Sequence, residues 1–212
     1  MKSDSQSVKI YTEIRKKILA NQLLPKTRLK EDVWAKKLEV NRMAVREALN
    51  RLLGERLVSA GEKGGYFVAS ITEEDIHQIR ELREILEVGA LRLCVKKIKS
   101  SGLTRLQKIC DDFTAMVEQG YQNGAIEADL KFHETLIELA GNKKLLQTYK
   151  SSHIVLFHLK LGKTQTFLDD FSQTDREHRK IVQYIKEKKL KLAEDALKRH
   201  FERGEAAVLD LE

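Results

Sequence analysis

Three histidines and an aspartate stand where a helical reading turns them toward apolar faces. Asp129 and His133 are four residues apart in IEADLKFHETLI, beside Phe132, Leu136 and Ile137. His178 precedes Ile181 and Val182 by three and four residues, and His200 follows Leu197 and Ala196 by the same steps. Positions three or four apart share a helix face, so all four groups point toward a core. An ionised carboxylate in a core is costly unless it is paired or bound to a cation. If the helices converge, three imidazoles and one carboxylate form a ligand set for a divalent metal ion, Zn, Ni, Mn or Fe, with Asp129 and His133 placed to chelate it together. Spacing alone leaves a second reading open, in which these are core histidines and Asp129 pairs with a cation such as Arg83. Of the remaining histidines, His153 and His158 fall on a later helix, as extra pocket residues or as surface groups, and His77 is expected to be exposed.

A second chemistry, recognition of a polyanion, is suggested by VNRMAVREALNRL at residues 40–52. Asn41 is placed to cap a helix whose apolar stripe is Val45, Leu49 and Leu52. Arg42 and Arg46 then share the face at its N-terminal end. Long cations at that end of a recognition helix can fork to guanine O6 and N7 or clamp phosphates. Asn41 and Met43 beside them could touch phosphate and a thymine methyl. Arg28 and Lys30 could hold phosphates ahead of the preceding helix, and Lys63 sits where a hairpin tip would lie across the backbone.

These residues fall in the part of the chain that carries all of its excess charge. Residues 1–70 contain 15 Lys+Arg against 8 Asp+Glu, whereas residues 71–212 contain 24 of each. The net charge of +7 therefore belongs to the first third, as in a nucleic-acid-binding module joined to a neutral partner domain. With 42% hydrophobic and 33% charged residues, one proline and 6% aromatics, the composition favours helices in a charged, globular chain. No apolar run approaches the roughly 18 residues of a membrane span. The start, MKSDSQSVKIY, has neither an apolar core nor a cleavage site, so a cytoplasmic location is expected. Cys94 and Cys110 are too few and too badly spaced for a disulfide framework, and are expected as buried thiols.

The elements that must position these groups can be laid out in order. VKIYTEIRKKIL spaces Val8, Tyr11, Ile14 and Ile18 as a helix; Pro25 marks a turn; EDVWAKKL is a short helix with Val33, Trp34 and Leu38 inward; the Asn41-capped helix follows. LVSA and YFVA then flank GEKGG as a hairpin. Three helices and a hairpin wing make a winged helix-turn-helix over residues 1–70. From residue 71 the chain reads as an all-helical antiparallel bundle of about six helices. Thr72 and Asp75 form a capping box for a long helix with Ile76, Ile79, Leu82, Leu86, Ala90 and Leu93 inward. Ser100-Ser101-Gly102 breaks that helix, and further helices are expected over about 104–119, 125–140, 143–161, 175–188 and 190–210, punctuated by Gly120, Gly124, Gly141 and Gly162.

LLPKTRLKEDVWAKKLEVNRMAVREALNRLLGERLV and GGYFV resemble the GntR-type winged-helix repressors across nearly all of residues 8–69, through R-x-x-V-R-E-A-L, L-P-x-x-R-L and the hairpin end. The usual Ser or Thr before the first arginine is Asn41 here, the common proline is Ala44, and the glycine after Pro25 is Lys26. The resemblance implies that Asn41, Arg42 and Arg46 contact DNA and that Lys63, Gly64 and Gly65 form the wing. Residues 72–210 resemble the helical sensor domain called FCD that follows this type of DNA-binding domain, through R-E-I-L-E at 83–87, D-L-K-F-H at 129–133, A-G-N-K-K-L-L, E-H at 177–178 and A-L-K-R-H at 196–200. That likeness implies a divalent metal held by Asp129, His133, His178 and His200, and a small carboxylate effector at or beside it. Arg83 and Arg80 are the effector-contacting expectations, set against the alternative that Arg83 merely pairs with Glu87 on an exposed face.

The leading expectation is thus a ligand-responsive transcription factor, a repressor acting as a homodimer on a two-fold operator, with no enzymatic activity and no membrane partner. A metal-dependent hydrolase with a basic appendage is the alternative, since an Asp/His site with an open position can activate water, although no separate general base or nucleophile motif is evident. An architectural nucleic-acid binder whose helical domain only dimerises is a third.

Overall fold

The computed structural model describes residues 2–20, 22–152 and 167–209. The chain passes from a first unit to a second between Ile71 and Thr72.

The first unit runs α1 (Lys2–Leu19), β1 (Arg28–Leu29), α2 (Glu31–Leu38), α3 (Arg42–Gly54), β2 (Val58–Ala60) and β3 (Tyr66–Val68). Ile10, Ile14 and Ile18 of α1, Trp34 of α2, and Val45, Leu49 and Leu52 of α3 are all buried, with α3 packed against both α1 and α2. Val8 and Val33, expected on the apolar stripes, are 49% and 54% exposed. Each lies next to residues that the packing turns inward, and neighbouring residues on a helix do not share a face: α2 buries Trp34 and Ala35 and leaves Leu38 half-buried. Between α2 and α3 the chain reverses at Glu39, which adopts φ 54°. The strands form an antiparallel sheet in the order β1-β3-β2, with Ser59 and Arg28 both opposite Phe67. The hairpin was legible from its glycines, and Gly64 and Gly65 do take φ 81° and 91°. Strand β1 was not legible, because two residues carry no alternation to read.

The second unit begins with α4 (Glu73–Arg83), which continues through one π-helical turn (Glu84–Val88) into α5 (Gly89–Lys97). It continues with α6 (Ser100–Glu118), α7 (Gln122–Leu139), α8 (Lys143–Ser151), α9 (Phe167–Lys186) and α10 (Leu190–Leu209). Thr72 and Asp75 form the reciprocal capping box at the start of α4. The inward face of α4 and α5 differs from the apolar reading: Ile76, Ile79, Arg83, Glu87, Leu91 and Cys94 are buried, whereas Leu82, Leu86 and Leu93 are only partly so. A charged pair occupies two inward positions, so following apolar residues alone drifts onto the flank. The chain reverses at the extended Ile98 and Lys99, and Ser100 to Gly102 form the first turn of α6 rather than a break. Gly124 lies inside α7, where a Cβ would come within 2.5 Å of Met116 Sδ; it permits close helix packing instead of ending a helix. Helix α9 starts earlier than residue 175, and the expected helix over 143–161 is described only to Ser151. Gly162, His153 and His158 lie outside the described residues.

Phe132, Leu136, Leu91, Leu106, Ile181, Leu197 and Phe201 belong to one core cluster, which also holds both cysteines as free buried thiols. Burial pushes Cys94 up to about 11 and Cys110 to about 12, which leaves them poor nucleophiles at neutral pH. No described helix is long and apolar enough to cross a membrane.

Candidate functional site

In the first unit, Asn41 Oδ1 accepts a hydrogen bond from Ala44 N at 2.8 Å and so starts α3. This fixes where the arginines emerge. Their side chains are 66% exposed for Arg42 and 49% for Arg46. Both lean on Glu31 at the start of α2. Arg46 donates from Nε at 2.8 Å and Nη2 at 3.0 Å, and Arg42 Nη2 donates at 3.4 Å. Hydrogen bonding from Arg46, and then its charge and that of Arg42, outweigh burial and hold the Glu31 carboxyl below its ordinary value. One carboxylate thus aligns two guanidinium groups and leaves the pair with a net positive charge.

Met43 projects beside them, 67% exposed. Tyr66 Oη donates to Asn50 Oδ1 at 2.6 Å and ties the hairpin to α3. Lys63 is exposed in the hairpin turn with Gly64 and Gly65. Arg28 packs along the same hairpin: a Cβ on Gly65 would meet its guanidinium at 3.5 Å, and its Cζ lies 5.9 Å from the Phe67 ring centre. Lys30 is exposed at the entry to α2. Each cation named from the sequence is therefore solvent-facing, on α3, at the start of α2 or along the hairpin.

In the second unit, α7 supplies Asp129 and His133, α9 supplies His178 and α10 supplies His200. All four are buried, and one ligand atom from each lies within 4.8 Å of the others. His133 Nε2 is 3.2 Å from His200 Nε2 and 3.7 Å from Asp129 Oδ1, and His178 Nε2 is 3.3 Å from that same oxygen. Donors bound at about 2.0–2.2 Å around one ion are separated by roughly 3–3.5 Å; the 3.2 and 3.3 Å pairs match that spacing, and the group as a whole, spread over up to 4.8 Å, could close around an ion. His178 Nε2 is also buried without a hydrogen-bond partner, an atom that a cation would satisfy. The rings of Phe132 and His178 stack at 3.9 Å, which holds that nitrogen in place.

Two further carboxylates orient the imidazoles. His133 Nδ1 donates to Glu87 Oε2 at 2.6 Å, and His200 Nδ1 donates to Glu177 Oε2 at 2.8 Å. A carboxylate only accepts, so each ring keeps Nε2 as the atom offered inward. Glu87 also takes Arg83 Nε at 2.9 Å and Tyr149 Oη at 3.2 Å. Glu177 takes Arg203 Nε at 2.8 Å and Gln173 Nε2 at 2.9 Å. Burial alone would raise both carboxyls. The charges of His133 and Arg83 outweigh it at Glu87, and hydrogen bonds from His200, Arg203 and Gln173 do so at Glu177, so each is held at about 2. Burial lowers His200, and lowers His178 well below its ordinary value, which keeps imidazole in the neutral, ligating form. At His133 burial is overcome by Glu87, which raises it.

Glu87, Glu177 and Tyr149 were not singled out from the sequence as working residues. The signal for Glu87 was present, because the 3.6-residue period from Ile76 through Arg83 to Leu91 puts a carboxylate inward. Glu177 is half-buried beside His178, and only the approach of α10 gives it a role. The pairing of Arg83 with Glu87 is real but buried, at 5% and 0% side-chain exposure, not on an exposed face. Arg83 also lies 4.6 Å over the Phe201 ring. Arg80 faces Glu84 at 3.0 Å and Glu205 at 3.2 Å, and among the described residues no contact links it to the four ligands. His77 is half-exposed and 2.6 Å from Glu205. The π-helical turn carries Glu87, and such turns recur at functional sites.

Two family models match the chain, one described as bacterial regulatory proteins of the gntR family over residues 6–68 and one as the FCD domain over residues 78–203. The HTH-type transcriptional regulator YdhC of Bacillus subtilis is 25% identical over 201 residues, covering 92% of this chain and 87% of that protein. The gluconate operon transcriptional repressor of the same organism is 25% identical over 212 residues, covering 98% and 86%. Among solved structures, E. coli McbR/YncC superposes with a TM-score of 0.80 at 17% identity over 97% of both chains, a likeness of fold. The matching families and relatives are regulators of transcription, not enzymes, and the hydrolase reading is set aside on that ground.

Proposed function

The chain belongs to the gntR family of bacterial regulatory proteins and carries an FCD domain, and from that premise we propose that it is a repressor whose helical domain holds a divalent metal ion and senses a small carboxylate. As a transcriptional regulator with a DNA-binding helix-turn-helix, it presents α3 to the major groove. Arg42 and Arg46, aligned by Glu31, read base edges or phosphates, Asn41 and Met43 flank them, and Arg28, Lys63, Gly64 and Gly65 follow the backbone. Two copies would match a two-fold operator. The location of such a regulator is the cytoplasm.

The observation that carries the sensor half is the convergence of Asp129, His133, His178 and His200, with the Nε2 atoms of His133 and His200 oriented by Glu87 and Glu177. A bound divalent ion would supply a Lewis-acidic centre with an open position for a carboxylate oxygen. The protein's own part is to aim His133 and His200 through Glu87 and Glu177, and to hold His178 and His200 in the neutral form by burial. Arg83 neutralises Glu87 from behind and so holds the carboxylate that orients His133. Effector binding must differ in affinity between two conformations to alter DNA affinity. The test is selection of a duplex from a random library by the metal-loaded protein, then titration of that duplex with and without a panel of small carboxylates. A carboxylate that shifts the apparent Kd by about 5-fold or more supports the reading. No selected sequence, or a selected duplex that no carboxylate affects, contradicts its DNA half or its sensor half respectively.

A further inference from the structure

Helices α9 and α10 enclose a groove of about 480 Å³ lined by Gln173, Arg176, Glu177, Lys180, Ala196 and Arg199. Its residues alternate along the two helices with the buried His178, Ile181, Leu197 and His200, so it is separate from the buried ligand group. Three cations line it against one carboxylate, and Glu177 is already matched by Arg203 and His200. Among the described residues, Lys180 and Arg199 form no ion pair. Among the described residues, Arg176 donates to a neutral amide oxygen, Gln173 Oε1, from Nε at 3.0 Å and Nη2 at 2.8 Å. The groove therefore combines unbalanced positive charge with a volume suited to a metabolite. Two guanidinium forks and an ammonium suit carboxylate, sulfate or phosphate oxygens.

We propose that this groove is a second binding site, for a small anion bearing two or more negative charges, and that its occupancy reaches the buried ligand group through Arg176, Gln173 and Glu177. The route is a continuous chain of hydrogen bonds. Arg176 holds Gln173 Oε1, Gln173 Nε2 holds Glu177 Oε1 at 2.9 Å, and Glu177 Oε2 holds His200 Nδ1 at 2.8 Å. An anion that draws Arg176 toward Lys180 and Arg199 takes it from Gln173. Gln173 is then free to turn away from Glu177, which changes the support of one imidazole. The binding half stands by itself, whereas the coupling half rests on the reading that Asp129, His133, His178 and His200 hold a divalent ion.

The experiment is an NMR titration of the full-length, metal-loaded protein with sulfate and with succinate, neither a strong ligand for a divalent ion, at constant ionic strength. Saturable shifts are expected at the amides of residues 173–180 and 196–200 and at the Arg176 and Arg199 side chains. A stronger response to sulfate than to succinate assigns phosphoryl-like ligands, and the reverse assigns dicarboxylates. The double variant Lys180→Ala/Arg199→Ala, altered only on the surface, is expected to bind about tenfold more weakly or worse. His178→Asn, which removes an inner ligand, should leave these shifts in place; if it abolishes them, the anion sits at the inner site and the groove proposal falls. Shifts that never saturate, or that survive the double variant unchanged, overturn the binding half. For the coupling, metal affinity measured by competition with a chelating dye is expected to change by about 5-fold with saturating anion in the wild type and not in Gln173→Ala. An unchanged wild-type affinity overturns the coupling and leaves the metal reading itself intact.

Discussion

Two arginine–glutamate arrangements in this molecule have the same chemistry and opposite uses. At the start of α2, Glu31 takes two arginines whose side chains remain half or more exposed. At the end of α4, Glu87 takes Arg83 where both are buried. Water screens the first, so it contributes little to stability and serves to align cations that a polyanion can reach. The second has lost its hydration, so each charge depends on its partner, and Glu87 must also satisfy His133 and Tyr149. Solvent access decides whether such a pair presents charge to a ligand or holds a buried site in shape.

The same substitution in both places tests that contrast most strongly. Glu87→Gln is expected to destabilise the protein by about 3–5 kcal/mol, because it leaves Arg83 without its buried countercharge. Glu31→Gln should cost under about 1 kcal/mol, and urea unfolding of the two variants measures the gap. Equal losses would erase the distinction. Acid provides a parallel test. Glu87 and Glu177 are held at about 2 in the fold against an ordinary 4.5. Their contribution is fully present above the unfolded value and is lost as pH falls from 4.5 toward 2. Unfolding followed by circular dichroism should steepen in that window, and less so in Glu177→Gln.

Effects on ligands come next. Arg46→Ala is expected to weaken binding to a selected duplex by about 10- to 100-fold at fixed salt while leaving the urea midpoint unchanged. Unchanged affinity would remove α3 from the interface. Glu177→Gln should lower metal affinity by about 10- to 100-fold with all four ligands in place, because it orients His200 from behind; dye competition reads this directly. The smallest effect concerns Lys26, which sits at φ 66°. Lys26→Gly should raise the unfolding free energy by up to about 1 kcal/mol through relief of left-handed backbone strain. A loss instead would mean that the Lys26 side chain contributes more than its backbone costs.

The same contrast explains what could be read beforehand. Asn41, Arg42 and Arg46 are local: a cap, a helix start and one turn follow from spacing within a few residues. The hairpin and the capping box at Thr72 are local in the same sense. Asp129 and His133 lie on one helix, and the inward tilt of His178 and His200 follows from their apolar neighbours. What spacing could not supply was that α7, α9 and α10 bring the four together. Glu87 and Glu177 were missed because their partners are 46 and 23 residues away, and because a charged residue on an inward face looks like an error in the period. The π-helical turn that carries Glu87 and the two-residue strand β1 leave no periodic trace. Val33 misled because eight residues of α2 offer too few turns to fix its phase.

The most direct test of the sensor reading is native mass spectrometry with elemental analysis of the same gently purified full-length sample. The expected result is a dimer carrying about one divalent ion per chain, with the ion lost and the dimer retained in His178→Asn. A chain that arrives without metal and takes up none of Zn, Ni, Mn or Fe would contradict it. Asp129, His133, His178 and His200 would then be a buried polar cluster, and the basic face of α3 would be what remains of the functional account.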